Sequence, residues 1–184
     1  MKRDSLLTLL RQHTPFDPEE HAMWQDTIRF VEENPDCFER WLTIGHVTGS
    51  AWIVDESQTS VLLMHHRKLD KWFQPGGHAD GDSDVLHVAL KEALEETGLK
   101  TVHCLAKTIF DVDVHLIPAN AKEAAHYHYD IRFLFRADSQ QPLSINSESK
   151  ELVWVPLSDV EQYNNSNSIL RMVQKMSRPN FLDR

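Results

Sequence analysis

The chain has 184 residues and a mass of 21.3 kDa, which favours one domain, or one domain with a short helical extension. Hydrophobic residues make up 41% and charged residues 26%, which excludes disorder or a coiled coil as a description of the whole chain. The net charge of −9 argues against long nucleic acid and anionic membranes as partners, because proteins that bind them usually present a basic face. A small phosphorylated substrate is compatible with this charge if a metal ion or local cations neutralise its phosphates.

The chain contains two cysteines, Cys37 and Cys104, and their spacing matches neither a disulfide framework nor a zinc motif. Reduced thiols of this kind are typical of the cytosol. No apolar run approaches the ~20 residues that span a bilayer. The apolar stretch near the N-terminus is too short for a signal peptide. We therefore predict a cytoplasmic protein with no membrane contact.

Residues 1–44 are predicted to form a helical extension that lies against the main domain, covers the site or forms an interface. Leucines recur from Leu6 to Leu10 at helical spacing. A second helix is predicted to start at Asp17, a side-chain acceptor followed by Pro18 at the first helical position. Asn34 precedes a proline and is predicted to end that helix.

From about residue 45 the periodicity changes to that of strands. We predict a hairpin of strands 47–54 and 60–66, a segment 72–77 that ends in a tight loop, extended chain over 101–117, a loop or short helical turn over 118–125, an alternating strand 126–137 and a last strand 152–156. Helices are predicted over 84–97 and over 159–176, the latter interrupted near Asn164. Strands interspersed with few helices indicate a mixed sheet flanked by helices.

The helix predicted over 84–97 carries an unusual group of acidic residues. Asp82, Ser83 or Asp84 could cap its start, and Gly98 is expected to end it. Its apolar face is predicted to consist of Leu86, Ala89, Leu90, Ala93 and Leu94. Glu92, Glu95 and Glu96 are predicted to share another face.

These three glutamates oppose local helix stability. Like charges three and four residues apart repel by roughly 0.2–0.5 kcal/mol per pair, and the helix dipole disfavours anions in the last turn. A bound Mg²⁺ or Mn²⁺ would account for them, because hard cations prefer oxygen ligands. By itself the group could equally be a solvated acidic face.

The surrounding spacing is more specific. Gly77 is followed by five residues, Ser83, seven more residues, and then Lys91-Glu92-Ala93-Leu94-Glu95-Glu96-Thr97-Gly98-Leu99. This pattern, from Gly77 to Leu99, resembles the Nudix box, and the resemblance to the Nudix family covers roughly residues 45–160. Two positions differ: Ser83 stands where the box has its first Glu, and Lys91 where it has Arg. Asp82 or Asp84 could replace the missing carboxylate, and Asp80 adds a further one. Lys91 retains the positive charge without a planar two-pronged contact.

The resemblance implies an α/β (α+β) fold, a Nudix-like α/β/α sandwich with a mixed sheet in residues 45–184, preceded by the helical extension 1–44. It implies hydrolysis of a nucleoside diphosphate linked to another group, by water activated on Mg²⁺ or Mn²⁺. The metal ligands would be Glu92, Glu95, Glu96 and the carbonyl of Gly76. Members often use a further Glu as ligand or base; Glu148 is the first candidate here and Glu151 the second.

Several residues are candidates for substrate contacts. Arg67 follows a predicted strand, where the resemblance implies a phosphate-binding cation. His126, His128 and Asp130 alternate on one strand face, and could contact substrate, bind a transition metal or serve structure. His78, in the loop before the box, faces the site in this interpretation. Trp72 and Phe73 could stack on a base or belong to the core.

Two other functions are compatible with the same fold. An isoprenoid diphosphate isomerase would need a cysteine in the loop before the box, and residues 74–78 contain none. A non-catalytic nucleotide-binding module is conceivable because of Ser83, although Glu95 and Glu96 are both retained. A nucleoside triphosphate is the default substrate by elimination, and the resemblance makes a homodimer possible.

Overall fold

The structure is a computed structural model that describes residues 2–119 and 124–178. Its helices are α1 (Asp4–Gln12), α2 (Pro18–Glu33), α3 (Val85–Thr97), α4 (Val160–Tyr163) and α5 (Asn167–Met176), with a 3-10 turn at Leu157–Asp159. Its strands are β1 (Gly45–Val54), β2 (Ser60–His66), β3 (Lys71–Phe73), β4 (Gly76–His78), β5 (His103–Cys104), β6 (Asp111–Ile117), β7 (His126–Arg136) and β8 (Ser149–Pro156). Within residues 118–125, predicted to be a loop or helical turn, 120–123 lie outside the described part.

The strands form one mixed sheet, as the sequence predicts. Strands β3, β2, β1, β7 and β5 follow one another across it, while β4 pairs with β1, β6 with β7, and β8 with β2. The long pair β1 and β7 is parallel, and it sets His46 opposite His128 and Thr48 opposite Asp130. The predicted hairpin of β1 and β2 is confirmed by their antiparallel pairing.

Helices cover both faces of the sheet, which confirms the predicted sandwich. Alternate residues of β1 point to opposite faces. Val47 and Ala51 share one core with apolar residues of α1, α2 and α3, whereas Trp52 belongs to a second core with Ile169 and Met172 of α5. Because α5 lies on the face opposite α3, the sheet is buried on both sides.

The N-terminal helices form where the sequence predicts them. The Asp17 carboxylate accepts a hydrogen bond from the backbone of Glu20 at 2.7 Å and caps α2, with Pro18 in its first turn. The ring of Phe30 stacks on Tyr129 of β7, with centroids 3.8 Å apart. The extension therefore packs on the sheet and shares its core. A domain boundary at residue 44 stays a prediction.

Extended chain was predicted throughout 101–117, and this is only partly right. Regular pairing is confined to β5 and β6, both of which pair with β7. Between them the chain leaves the sheet, so that Ile109 and Phe110 can enter the two cores. The interruption predicted near Asn164 is confirmed, because α4 ends at Tyr163 and α5 begins at Asn167.

Two further properties concern the chain as a whole. Within residues 2–119 and 124–178, no helix combines the length and apolar character that crossing a membrane requires. Both cysteines are free thiols; Cys37 is buried and Cys104 is exposed.

Beneath the polar face of the sheet lies a buried ion network that sequence analysis missed. Its centre is Asp111 of β6, which is fully buried. Arg132 of β7 donates to the Asp111 carboxylate at 3.1 Å, Arg171 of α5 donates at 2.8 and 3.0 Å, and Lys175 donates at 2.6 Å. One carboxylate thus joins two strands to the helix that covers them.

The network continues to the N-terminal extension through Glu20 of α2. Lys175 donates to Glu20 at 2.7 Å, and the backbone of Val112 donates to the same carboxylate at 3.1 Å. Burial alone would raise the pKa of Glu20, but the hydrogen bond with His13 and the charge of Lys175 outweigh burial and lower it to about 2. Helix α2 is therefore held to α5 and β6 by an ionised buried carboxylate.

Removal of the Asp111 charge should destabilise the protein strongly. The substitution Asp111→Asn leaves Arg132, Arg171 and Lys175 buried around a neutral group, which typically costs about 3–5 kcal/mol. Urea unfolding should show this loss in the free energy of unfolding. The matched control is Asp26→Asn, which breaks an exposed pair with Arg29 and should cost less than about 1 kcal/mol. A similar small loss for both variants would contradict a stabilising role for the network.

The lowered pKa of Glu20 predicts acid sensitivity. An acid whose pKa is lower in the folded state adds stability above its unfolded pKa and loses it as the pH falls. For Glu20 that loss extends from pH 4.5 down to about 2. The unfolding free energy should fall over this range, and Glu20→Gln should have a shallower pH dependence there while being less stable at pH 7. An unchanged slope in the variant would contradict the assignment.

Candidate active site

Helix α3 forms as predicted, and its ends are well defined. Asp84, one of three candidate caps, accepts a hydrogen bond from the backbone of His87 at 3.1 Å. Gly98 ends the helix with φ 71°, a left-handed conformation that glycine adopts without a steric penalty. Both ends therefore fix where the last turn, with its glutamates, lies relative to the sheet.

The apolar face predicted for α3 is partly confirmed, because Ala89 and Ala93 are buried and Leu86 and Leu90 pack against the core. The buried face consists of Val85, Val88, Ala89, Ala93, Glu96 and Thr97, whereas Leu86 and Leu90 are only partly buried. The helix is rotated so that Glu96, which is 4% exposed, lies at the border of the core. Glu95 is exposed, so the three glutamates do not share one face equally.

Glu96 is held against the loop that precedes α3. The backbone N–H of Gly76 donates to its Oε2 at 2.9 Å. Burial raises the pKa of Glu96 to about 8, against the lowering effect of that hydrogen bond. The nearby carboxylates of Glu92 and Glu148 raise it further. The site thus disfavours the charge that Glu96 would carry at neutral pH unless a cation accompanies it.

Glu92 contacts the same loop one residue further on. A Cβ at Gly77 would lie only 2.6 Å from the Glu92 carboxyl carbon, so a larger residue there would displace the Glu92 side chain. Burial raises the pKa of Glu92, and the charges of Glu95 and Glu148 add to that effect. Lys91 opposes it, with Nζ 3.8 Å from oxygens of both Glu92 and Glu95. Lys91 therefore supplies local charge from an exposed position.

Glu148 lies near these glutamates although it is distant in sequence. It belongs to the loop before β8, where its backbone donates to the Asn146 side chain at 2.8 Å and its carbonyl accepts from Arg67 at 2.7 Å. Its charge raises the pKa of both Glu92 and Glu96. Glu151, the second candidate, is exposed and pairs with His65 at the β2–β8 ladder. The geometry favours Glu148, and its role stays a prediction.

Arg67 lies beside Glu148, and its guanidinium binds backbone. It donates to the carbonyls of Ser147 at 3.2 Å and Ser149 at 2.8 Å. These contacts shape the loop that presents Glu148. The phosphate contact predicted for Arg67 stays a proposal. It would require the guanidinium to give up at least one of these bonds to backbone carbonyls.

The carboxylates near Ser83 have partners of their own. Asp80 is paired with Arg40 at 2.5 Å, and its charge also raises the pKa of Glu92. Asp82 accepts from the backbone of Asp84 at 2.9 Å and pairs with His87 at 2.8 Å. Of these residues, Asp80 acts electrostatically on the glutamate site.

The polar face predicted for β7 is confirmed, and its two ends differ. At the end of this face nearer Arg132, Asp130 is 3% exposed. Its carboxylate accepts hydrogen bonds from Thr48 at 3.0 Å, Ser50 at 2.7 Å and Arg132 at 2.8 Å. These bonds satisfy the carboxylate within the protein. They favour a positioning role for Asp130 over the predicted contact with substrate.

At the other end of this face, around His128, histidines from several strands meet. His128 lies opposite His46 of β1 and His115 of β6. Its pKa is lowered to about 2 by burial and by neighbouring histidines, of which His78 has the largest effect. His126 is 3.3 Å from it, Nε2 to Nε2. Sequence analysis missed His46 and His115, because only the strand pairing shows that they share a row with His128.

Trp72, a candidate for base stacking, has ring partners within the protein. It stacks on His65, with centroids 4.7 Å apart, and contacts Tyr163 edge to face at 5.2 Å. Asn164 donates to its carbonyl at 2.7 Å. These contacts favour the alternative that Trp72 packs with the structure.

The glutamate site fits a hard divalent cation. Glu92, Glu96 and Glu148 offer oxygen ligands only, which Mg²⁺ and Mn²⁺ prefer. These carboxylates repel one another, and Glu92 and Glu96 are also shielded from water. A bound cation would relieve that repulsion. A curled mixed sheet between helices, with such a helix against a Gly-Gly loop, defines the Nudix class of fold.

Comparison with known proteins agrees with this class. The NUDIX domain family model matches residues 45–176, and the chain therefore belongs to that family. It is a Nudix-type pyrophosphohydrolase, an enzyme class that acts on acid anhydrides, and the family generally uses divalent metal ions. Among curated protein sequences, none matches this chain.

Solved structures share the fold. An Ap4A hydrolase from C. elegans is 18% identical with a TM-score of 0.55, over 71% of this chain and 94% of that one. A dihydroneopterin triphosphate pyrophosphohydrolase from E. coli is 13% identical with a TM-score of 0.53, over 70% and 92%. A NUDIX family hydrolase from Clostridium perfringens is 23% identical with a TM-score of 0.50, over 71% and 95%. At these identities the likeness concerns the fold alone.

Neutralising Glu96 should stabilise the metal-free protein. Glu96→Gln keeps an acceptor for Gly76 and removes a disfavoured charge, so we expect a gain of about 0.5–2 kcal/mol in the free energy of unfolding in EDTA. The exposed control Glu95→Gln should change it by less than about 0.5 kcal/mol. Urea unfolding measures both. A loss of stability in Glu96→Gln would contradict the electrostatic description of the site.

Proposed function

We propose that the protein is a metal-dependent hydrolase that cleaves a phosphoanhydride bond in a nucleoside diphosphate linked to another group. The observation that carries this proposal is the convergence of Glu92, Glu96 and Glu148 at the Gly-Gly loop. The charges of Glu92 and Glu148 raise the pKa of the buried Glu96, although Glu148 comes from a separate element. Perturbed carboxylates that converge in this way are typical of catalytic sites.

We propose that Glu92, Glu95, Glu96 and the Gly76 carbonyl hold Mg²⁺ or Mn²⁺. When bound, the ion neutralises diphosphate charge and lowers the pKa of the attacking water. Glu96 keeps its orientation because the Gly76 N–H holds one of its oxygens. Lys91 balances the charge of Glu92 and Glu95 at 3.8 Å. Glu148 serves either as a further ligand or as the base that accepts the proton of water.

Substrate contacts are proposed for residues around this site. Arg67 would bind phosphate with its guanidinium, and its contacts to the Glu148 loop couple that binding to the position of Glu148. His78, His126 and His128 lie on the polar face of the sheet, across β4 from the glutamates, and we propose that they contact the part of the substrate beyond the phosphates. Asp130 would position this face through its hydrogen bond with Thr48.

The substrate is proposed to be a small nucleotide, with a nucleoside triphosphate as the default by elimination. The similar solved structures bear names for enzymes that act on Ap4A and on a pterin triphosphate, so both compounds join the assay panel. Nucleotide sugars, dinucleotides and oxidised nucleotides complete it. A homodimer and a cytoplasmic location stay predictions.

The test is release of phosphate and pyrophosphate from this panel with Mg²⁺ or Mn²⁺. Turnover with at least one nucleotide should require the metal and should fall by roughly 10²-fold or more in Glu96→Gln. The control Glu56→Gln, in the exposed turn between β1 and β2, should retain wild-type turnover. Nucleotide binding without any turnover, measured as a rise in Tm, would support the alternative of a non-catalytic module.

The assignment of Glu148 can be tested against Glu151 with one matched pair. Both belong to the same short segment, and both substitutions exchange Glu for Gln. Glu148→Gln should lower kcat by about 10²–10⁴-fold if it accepts the proton of water, whereas Glu151→Gln should leave kcat near the wild-type value. Loss of activity in Glu151→Gln alone would show that the assignment is wrong.

A further inference from the structure

Three histidines from three strands converge on the polar face of the sheet, at the end of β7 that carries His128. His46 of β1, His78 of β4 and His128 of β7 form what we call the histidine cluster. Strand pairing sets His46 opposite His128, and Thr48 opposite His78. Their ring centroids are 4.9 Å apart for His46 and His78, 4.9 Å for His46 and His128, and 5.0 Å for His78 and His128. The sheet itself, rather than a loop, brings the rings together.

The cluster has the geometry of a ligand set. One nitrogen from each ring can be chosen so that all three lie within 4.8 Å of one another. His46 is 2% exposed, and the backbone of Leu42 interacts with its ring, yet neither ring nitrogen makes a hydrogen bond of ordinary length and angle among the described residues. A buried imidazole ordinarily satisfies its polar nitrogens. An unsatisfied buried ring beside two others indicates that something other than the protein completes it.

We propose that the histidine cluster binds a transition-metal ion such as Zn²⁺, at a site separate from the glutamates. Imidazole nitrogen suits Zn²⁺, whereas Mg²⁺ prefers oxygen. Zn²⁺ takes four ligands, and three protein ligands leave one position open. This inference does not rest on the proposed hydrolysis, because the donor atoms and the metal class both differ.

His126 lies next to the histidine cluster but outside the set of three whose nitrogens lie within 4.8 Å of one another. The Nε2 atoms of His126 and His128 are 3.3 Å apart, so the ring of His126 contacts the cluster directly. The other ring nitrogen of His126, Nδ1, lies 2.9 Å from the carbonyl of Ala124, to which it would donate. Metal-binding histidines almost always donate their second nitrogen to a carbonyl or carboxylate in this way.

The ring of His115, next to the cluster, is also held by neighbouring residues. Its ring lies 5.5 Å from that of His128, and its Nδ1 is 2.9 Å from the carboxylate of Asp113. Asp113 in turn is paired with Arg132 at 3.1 Å, within the buried ion network. The surroundings of the cluster are therefore fixed by the same charges that hold the sheet to α5.

The two sites adjoin each other along the chain. Gly77 contacts Glu92, and the next residue, His78, belongs to the histidine cluster. Successive residues of a strand point to opposite faces, so a Zn²⁺ ion at the cluster would lie across β4 from the glutamates. Because the sites use different donors, one can be removed without the other.

The experiment is a titration of the untagged, full-length, EDTA-treated protein with Co²⁺, followed by its visible absorption, and then with Zn²⁺ as competitor. We expect one equivalent of Co²⁺ with a nitrogen-ligand spectrum that Zn²⁺ abolishes. His78→Gln and His128→Gln should each weaken Co²⁺ binding by at least about tenfold. The control His103→Gln, on the exposed β5, should bind as the wild type does.

A second comparison separates this site from the glutamates. Glu96→Gln should keep Co²⁺ binding and its spectrum, while His78→Gln loses them. If neither Co²⁺ nor Zn²⁺ binds stoichiometrically, or if only Glu96→Gln abolishes binding, the proposal is overturned. Circular dichroism should show that each variant is folded. If a substitution of the buried His46 unfolds the protein, Co²⁺ binding by His78→Gln tests the proposal instead.

Discussion

The fold depends on one buried carboxylate, Asp111, and on the cations that surround it. Arg132, Arg171 and Lys175 reach it from a strand and from a helix on the far side of the sheet. Charges removed from water in this way are costly to leave unpaired, so each element is held in one register relative to the others. Through Lys175 and Glu20 the same network holds the N-terminal extension to α5.

This constraint positions the functional face. Above the ion network the strands β1, β7 and β6 carry Asp130 and then the histidines, in rows set by strand pairing. From the opposite face of the sheet, α3 brings Glu92 and Glu96 against the Gly-Gly loop, which itself pairs with β1. Oxygen donors and nitrogen donors thus meet at neighbouring residues of one loop, each in partly buried surroundings that disfavour an isolated charge.

Local patterns in the sequence were sufficient for most of the fold. The caps at Asp17 and Asp84, the stop at Gly98 and the alternation of β7 all depend on neighbouring residues, and the structure confirms each of them. The spacing around Glu92 led to the family. The orientation of α3 was only partly predictable from the apolar periodicity, because that pattern places Glu96 on a polar face whereas the structure buries it at the border of the core.

Contacts between distant segments could not be predicted. Nothing near His46 indicates that it faces His128, because that register arises only when β1 and β7 pair in parallel. The same is true of Glu20 and Lys175, which are charged residues on predicted helices and would ordinarily face solvent. Glu148 could be named from the resemblance, but its proximity to Glu92 and Glu96 depends on how its loop folds back beside Arg67.

A crystal structure of the protein grown with Mn²⁺, with anomalous scattering recorded to locate the ion, would test the glutamate site directly. We expect an anomalous peak bound by the carboxylates of Glu92 and Glu96 and by the Gly76 carbonyl. Ordered density there, lost in Glu96→Gln crystals, would support the glutamate site as the catalytic centre. Mn²⁺ found only elsewhere on the protein, with those carboxylates bare, would contradict it.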